Sequence, residues 1–403
     1  MAHLVVAKNR LPYPPVTGTD VVTYNLLRAL ASRHDVTLVS LITSDEQRQY
    51  APAFEGRGVR LVPVKMPNKA NLASRAAYKL LYGAAAGLTA SPLALWYYNP
   101  PNFRRAVREA CAGADLLQCE YWYLYPTARA VHGIKKVLLK HDAEFNANRR
   151  FLATIADPLR KSALGLRYLR RRHYEKTACR YFDEVLCLSG VDAGLVARWT
   201  RRAPRVVFPV VDLPPAAATC RGAESGEMLY FGGVRRAANR QGLERFLREI
   251  YPCVKAAVPR ATLTIRSEPP PRALRRLAAA DPSITLLPTA PDITGDLVRA
   301  AVAVVPLWVG SGIKIKILTA LAHGLPVVTT PVGAEGIPAE EGAELLVGET
   351  ADELVAALTR LLTDGEAWRR LSEGGRRFAA RELDPAVRNG PIAELYAELA
   401  SSP

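Results

Sequence analysis

Gly310, Gly312, Lys314 and Lys316 fall within one stretch of seven residues, Gly-Ser-Gly-Ile-Lys-Ile-Lys. The glycines let backbone N–H groups approach a ligand, a helix beginning here adds its positive end, and the lysines add full charge. Together these groups suit a diphosphate. A plain strand-to-helix connection with solvated lysines has the same spacing, so the glycines alone do not choose between the two readings. The flanking residues supply the frame: an apolar run at 301–307 reads as a buried strand, an apolar helix follows the turn, and 326–330 reads as the next strand.

The 403-residue length suggests two domains, each able to bury its own core. With 49% hydrophobic and 23% charged residues, wholesale disorder is excluded. A net charge of +16 implies an anionic partner: nucleic acid, an anionic membrane or phosphorylated substrates. Much of the excess lies between Arg149 and Arg180, where ten Lys and Arg face only Asp157 and Glu175. Leu159, Ala163, Leu166 and Leu169 recur there at helical spacing, and Arg160, Arg167 and Arg171 share another face. No RRM, KH, zinc-finger or helix-turn-helix pattern accompanies them, which argues against nucleic acid. A basic amphipathic face on anionic lipid fits better; a solvated helix with no partner is the alternative.

The opening residues, Met1 to Ala7, already read as a strand and lack a basic leader, so a cytoplasmic protein is expected, peripheral at the inner membrane face if the basic segment binds lipid. The uncharged run 80–98 is long enough to span a bilayer, but Gly83, Gly87, Ser91 and Pro92 interrupt it. A buried helix, a turn and an aromatic segment describe it better. Six cysteines form no Cys-x-x-Cys pair and read as free thiols. No His, Cys and acidic cluster has metal spacing, so no bound metal is expected.

Short β-branched runs alternate with helical patterns twice along the chain. Strands are expected at 4–7, 36–41, 59–64, 116–118, 137–140 and 184–188, with a helix at 21–32. A break rich in proline and small residues follows from Pro209 to Gly226. The pattern then restarts with strands at 228–231, 262–266 and 285–287, helices at 242–257 and 271–280, and, after the glycine–lysine turn, helices at 351–362 and 366–381. The fold class is therefore α/β, two similar halves that are each doubly wound on a parallel sheet. The expected boundaries are a first domain at 1–212, a linker at 213–226 and a second domain at 227–384, with a last helix at 385–403 packing back on the first.

Four stretches carry a family likeness. They are Leu11-Pro-Tyr-Pro-Pro-Val-Thr-Gly18 with the helix after it; Leu139-Lys-His-Asp-Ala-Glu144; Phe208-Pro-Val-Val-Asp212 with Tyr230-Phe-Gly-Gly233; and the glycine–lysine turn continued by Pro331-Val-Gly-Ala-Glu-Gly336. In this order the chain resembles bacterial glycosyltransferases of the GT-B fold, in the large retaining group called family four. The resemblance implies two Rossmann-like doubly wound domains facing a cleft, and transfer of a sugar from a nucleotide-activated donor to an envelope glycan, a glycolipid or a natural product. It requires no cofactor and no metal, the nucleotide-sugar being a co-substrate. The leaving diphosphate can itself help deprotonate the acceptor, so no protein nucleophile is needed.

Carried over position by position, Ser311, Gly312, Ile313 and Lys314 meet the donor diphosphate, with Gly18 and Thr19 closing from the first domain. Gly233, Arg235, Arg236 and Arg240 occupy the loop where relatives often place a cationic contact. His141 is the first choice for a group touching the transferred sugar or the acceptor. Tyr97, Tyr98, Glu120, Tyr121, Trp122 and Glu144 form the acceptor side, where aromatic rings stack on sugar or fill a core. One departure stands out. Relatives often hold the donor with two glutamates eight positions apart, and here those positions are Ser311 and Thr319. A threonine is shorter and offers no charged bidentate acceptor to a ribose. The resemblance therefore leaves a second reading open, a degenerate member acting as a binding or partner subunit.

Overall fold

The computed structural model describes residues 1–67, 80, 83, 91–215, 220 and 222–401. Residues 81–82 and 84–90 of the uncharged run and residues 216–219 and 221 of the 213–226 linker thus lie outside the described residues. Contacts divide the chain into two compact units. One holds Met1–Tyr13, Thr23–Phe208 and Asn389–Pro403; the other holds Pro14–Val22 and Pro209–Arg388.

The first unit is built on seven parallel strands: β1 (His3–Lys8), β2 (Asp35–Ile42), β3 (Val59–Lys65), β4 (Leu116–Glu120), β5 (Lys135–Lys140), β6 (Glu184–Cys187) and β7 (Arg205–Val206). Their order across the sheet is β3-β2-β1-β4-β5-β6-β7. The second unit has six: β8 (Glu227–Phe231), β9 (Thr262–Arg266), β10 (Ile284–Leu287), β11 (Val302–Val305), β12 (Val327–Thr329) and β13 (Leu346–Val347), ordered β10-β9-β8-β11-β12-β13. All these pairings are parallel. Helices cover both faces of such sheets, so central strands read as continuous apolar runs: Leu4, Val5, Val6 and Ala7 are all buried, as are Val302 to Val305. In each unit the strand order reverses next to the first strand, between β1 and β4 and between β8 and β11. Open α/β sheets bind ligands at that reversal, beyond the carboxyl ends of the strands.

Three details differ from the sequence reading. The helix expected to start at Gly242 begins earlier, as Ala237–Arg245, and passes through a π-turn at Phe246–Ile250 into Tyr251–Ala257. Position 242 lies inside the helix and is nevertheless glycine, because a Cβ there would come within 1.9 Å of the Pro306 carbonyl oxygen. Pro252, which has no N–H to donate, follows the π-turn. The basic segment is two helices, Glu144–Ala153 and Pro158–Tyr181, the second started by the Asp157 carboxylate accepting from the Leu159 and Arg160 N–H groups. Its apolar residues do not face a core: Leu159 is 83% exposed, Leu166 53% and Leu169 56%.

The last helix, Pro385–Ser401, joins the first unit. Its Tyr396 hydroxyl donates to the buried Gln118 side chain of β4, and Glu394 and Glu398 pair with Arg33 and Arg205 at 2.8 Å each. The six cysteines are free thiols, with Cys111, Cys119, Cys179 and Cys187 buried. Among the described residues no helix is long and apolar enough to cross a membrane.

Candidate functional site

In the first unit, three adjacent strand ends deliver charged groups to the sheet reversal. Lys8 closes β1, Glu120 closes β4, and His141 directly follows β5. The Lys8 Nζ donates to Glu120 Oε2 at 2.5 Å and to the Thr23 hydroxyl, which in turn donates to the same carboxylate oxygen at 2.6 Å. His141 Nε2 meets that oxygen at 3.0 Å. Burial alone would raise the Glu120 carboxyl, but Lys8 and His141 outweigh it and hold the group down at about 2. Glu120 is therefore a carboxylate, and His141 Nε2 carries the proton between them. Glu120 Oε1 and His141 Nδ1 are buried without a hydrogen-bond partner among the described residues.

Rings extend from this cluster. The His141 imidazole stacks on Tyr121 with centroids 4.7 Å apart, Tyr121 on Tyr123 at 5.0 Å, and Tyr123 lies 5.0 Å from Tyr98. Tyr121 is the one non-glycine with positive φ (76°) among the described residues. Such backbone strain persists only where the surroundings over-determine it, as they do at functional sites. Trp122, read from sequence as an acceptor-side ring, is instead 2% exposed and belongs to the packed core. The reason is geometric: its neighbours Tyr121 and Tyr123 turn toward the ring stack, and the backbone sends the residue between them inward.

Deeper in, Lys140 at the end of β5 is buried and donates to Glu175 Oε1 at 2.6 Å; Glu175 also accepts from the Phe145 N–H at 3.0 Å. Burial would lower the Lys140 amine, but Glu175 beside it more than compensates and keeps it charged. Glu144, at the start of the helix Glu144–Ala153, is raised to about 7 by burial and by the charges of Asp142 and Glu175. A carboxyl near neutrality can hold or accept a proton at working pH.

In the second unit, β11 runs into the glycine–lysine turn and the helix Ile315–Ala322. Gly310 and Gly312 have φ of 152° and 71°, conformations that favour glycine. Lys314 Nζ donates to the Gly312 carbonyl at 2.6 Å, tying the turn to itself. Lys316 points the other way, toward the end of β8: its Nζ is buried 4.8 Å from the centroid of the Tyr230 ring and has no hydrogen-bond partner among the described residues. The Thr319 hydroxyl donates to the Ile315 carbonyl of its own helix at 3.0 Å.

Around β8, the Glu268 carboxylate accepts from the Arg235 N–H at 2.9 Å and lies against Gly233, while the Asn239 amide donates to the Gly233 carbonyl at 2.7 Å. Arg235 and Arg236 are exposed and Arg240 half-buried. Gly18 and Thr19 open the helix Gly18–Ala31 and group by contacts with the second unit, where the Thr17 hydroxyl donates to Asp20 at 2.6 Å. Sequence reasoning passed over Lys8, Thr23, Asn9 and Tyr123. The available signal was a charged residue at the carboxyl end of a first parallel strand, followed by Asn9, whose amide donates to the Tyr123 hydroxyl at 3.0 Å.

Residues 17–210 match the family described as a glycosyl transferase 4-like domain, and residues 226–364 the family described as glycosyl transferases group 1. The fold is similar to a sucrose-phosphate synthase from Thermosynechococcus elongatus, with a TM-score of 0.74, 16% identity and all of both chains covered. It is also similar to TarM (TM-score 0.72, 9% identity, 100% of this chain and 99% of that one). A third similar structure is Anabaena HepE in complex with UDP-glucose (TM-score 0.68, 12% identity, 98% and 99%). No curated protein sequence matches the chain.

Proposed function

Because the chain belongs to the glycosyltransferases of the GT-B fold, we propose that it moves a sugar from a nucleotide-activated donor to an acceptor with retention of configuration and without a metal. The acceptor would be an envelope glycan, a glycolipid or a natural product. The observation that carries this reading is the glycine–lysine turn at the strand reversal of the second sheet, where two positive-φ glycines lead into a helix start with Lys314 and Lys316 beside it. Negative charge grows on the leaving diphosphate in the transition state, and preorganised donors there lower the barrier more than donors that must reorient.

On the acceptor side, Glu120 is held by Lys8, Thr23 and His141, so it orients the imidazole rather than attacking the sugar. Its grip leaves His141 Nδ1 as an acceptor for a sugar hydroxyl. The UDP-glucose bound by HepE supports a nucleotide-sugar as co-substrate. A thermal-shift panel of UDP-, GDP-, TDP- and ADP-sugars, followed by product analysis, tests the reading. A donor at 100 times its dissociation constant adds about 2.7 kcal/mol, and transfer should follow. Binding without turnover is what the alternative, a degenerate binding subunit, expects; the Thr319 hydroxyl bonded to its own helix is the observation favouring it.

The first turns of the helix Pro158–Tyr181 support a second element of the proposal, attachment to an anionic bilayer. Leu159, Leu166 and Leu169 are exposed beside Arg160, Arg167, Arg170 and Arg171, a basic and apolar combination suited to lipid headgroups. Co-sedimentation with phosphatidylglycerol vesicles should exceed that with phosphatidylcholine and fall when Leu166 and Leu169 become serine. Equal pelleting with both lipids would remove the membrane from the account.

A further inference from the structure

We propose that Lys316, not Lys314, delivers the positive charge to the donor diphosphate, and that its amine takes up a proton from solvent as the diphosphate binds. The inference rests on the nucleotide-sugar reading above and names the group that does the capturing.

Lys314 is already engaged, its Nζ donating to the Gly312 carbonyl within the turn. Lys316 is not. Its Nζ is out of contact with water, bonded to nothing among the described residues, and set over the face of Tyr230, whose own hydroxyl is also buried without a partner. A ring face attracts an ammonium but supplies no hydrogen-bond acceptor, so up to three donors of the charged form go unused. The amine also sits where β8 gives way to its turn. A Cβ on Gly232, at φ 136°, would lie 2.9 Å from the Lys316 Nζ, so this glycine leaves room for the side chain at the sheet reversal.

The charged groups acting on the amine are all cationic: Arg236 from the turn after β8, and Lys314 from its own turn. Glu268, at the end of β9, is bonded to the Arg235 N–H. Burial first, and these two cations second, push the Lys316 amine down to about 7. At rest near neutral pH it is therefore charged in only part of the molecules. A diphosphate reverses the balance, because it supplies both the missing acceptors and the opposite charge. The sign follows. Above about pH 7 the free site holds a neutral amine, binding draws in a proton, and affinity falls as pH rises; below that pH the amine is already charged and no proton is taken up.

Calorimetric titration of the full-length protein with the UDP-, GDP-, TDP- and ADP-sugars, at pH 8 in HEPES and in Tris, reads the proton directly. Wild type should take up close to one proton with the donor it binds. Lys316→Met should bind about 10- to 100-fold more weakly with no uptake, while melting higher than wild type without ligand, because an unpartnered buried amine is gone. Lys314→Met should retain the uptake. Should Lys316→Met not fold, the wild-type uptake decides alone, and its absence overturns the proposal. Binding and uptake that survive in folded Lys316→Met also overturn it, and leave the nucleotide-sugar reading standing. If no panel member binds wild type, both readings fall.

Discussion

Glu120→Ala is expected to destabilise the first unit by about 3–5 kcal/mol, the range for breaking a buried ion pair by removing one partner. Lys8 and Glu120 are both fully buried, and the same carboxylate oxygen serves Lys8, Thr23 and His141. Without it the Lys8 ammonium is left in the core with only the Thr23 hydroxyl. Urea denaturation followed by tryptophan fluorescence measures the loss, and a cost under about 1 kcal/mol would contradict this reading of the network. The double variant Lys8→Met with Glu120→Leu should recover most of the stability, since apolar groups of similar size often replace a buried pair without loss. The pH dependence has a definite sign. Glu120 is lowered to about 2 in the folded chain, so its contribution is fully present above the ordinary carboxylate range and is lost as pH falls through about 2.

The second large effect falls on turnover. His141→Ala should lower kcat by on the order of 100-fold or more, as loss of a positioned proton-handling group does, with a much smaller change in KM for the donor. Glu120 binds Nε2, so the working atom is Nδ1. Asparagine places an amide near Nδ1 and glutamine places one near Nε2. His141→Asn should therefore recover part of the rate and His141→Gln little. Steady-state kinetics on the three variants decides. Equal rates for Asn and Gln, or an effect confined to KM, would mean that the ring acts only through packing against Tyr121.

Much of this was legible in the sequence, for physical reasons that differ between the two units. Parallel strands buried on both faces leave unbroken apolar runs, and so β1, β2, β9 and β11 could be found by inspection. The glycine–lysine turn was readable because positive φ restricts the residue type. Other features depend on partners far along the chain. Glu120 and Lys8 are 112 residues apart, and nothing local says that one carboxylate serves three groups. Trp122 looked like its half-buried aromatic neighbours because only backbone direction separates core from rim. Lys314 and Lys316 are the same residue type and sit two residues apart, yet one closes the turn and the other faces Tyr230. Lys314 stands just before the helix with extended backbone and Lys316 lies in its first turn, a difference a list of residues does not show. The exposed leucines at 159, 166 and 169 had helical spacing, but spacing does not say what they face.

The central claim, that the turn at 310–316 and the end of β8 hold a donor diphosphate, is tested most directly by hydrogen–deuterium exchange with and without a nucleotide-sugar from the panel. Slowed exchange concentrated in peptides covering 232–236 and 310–316 is the result expected. Binding that protects only other segments, or no protection at millimolar ligand, would contradict it.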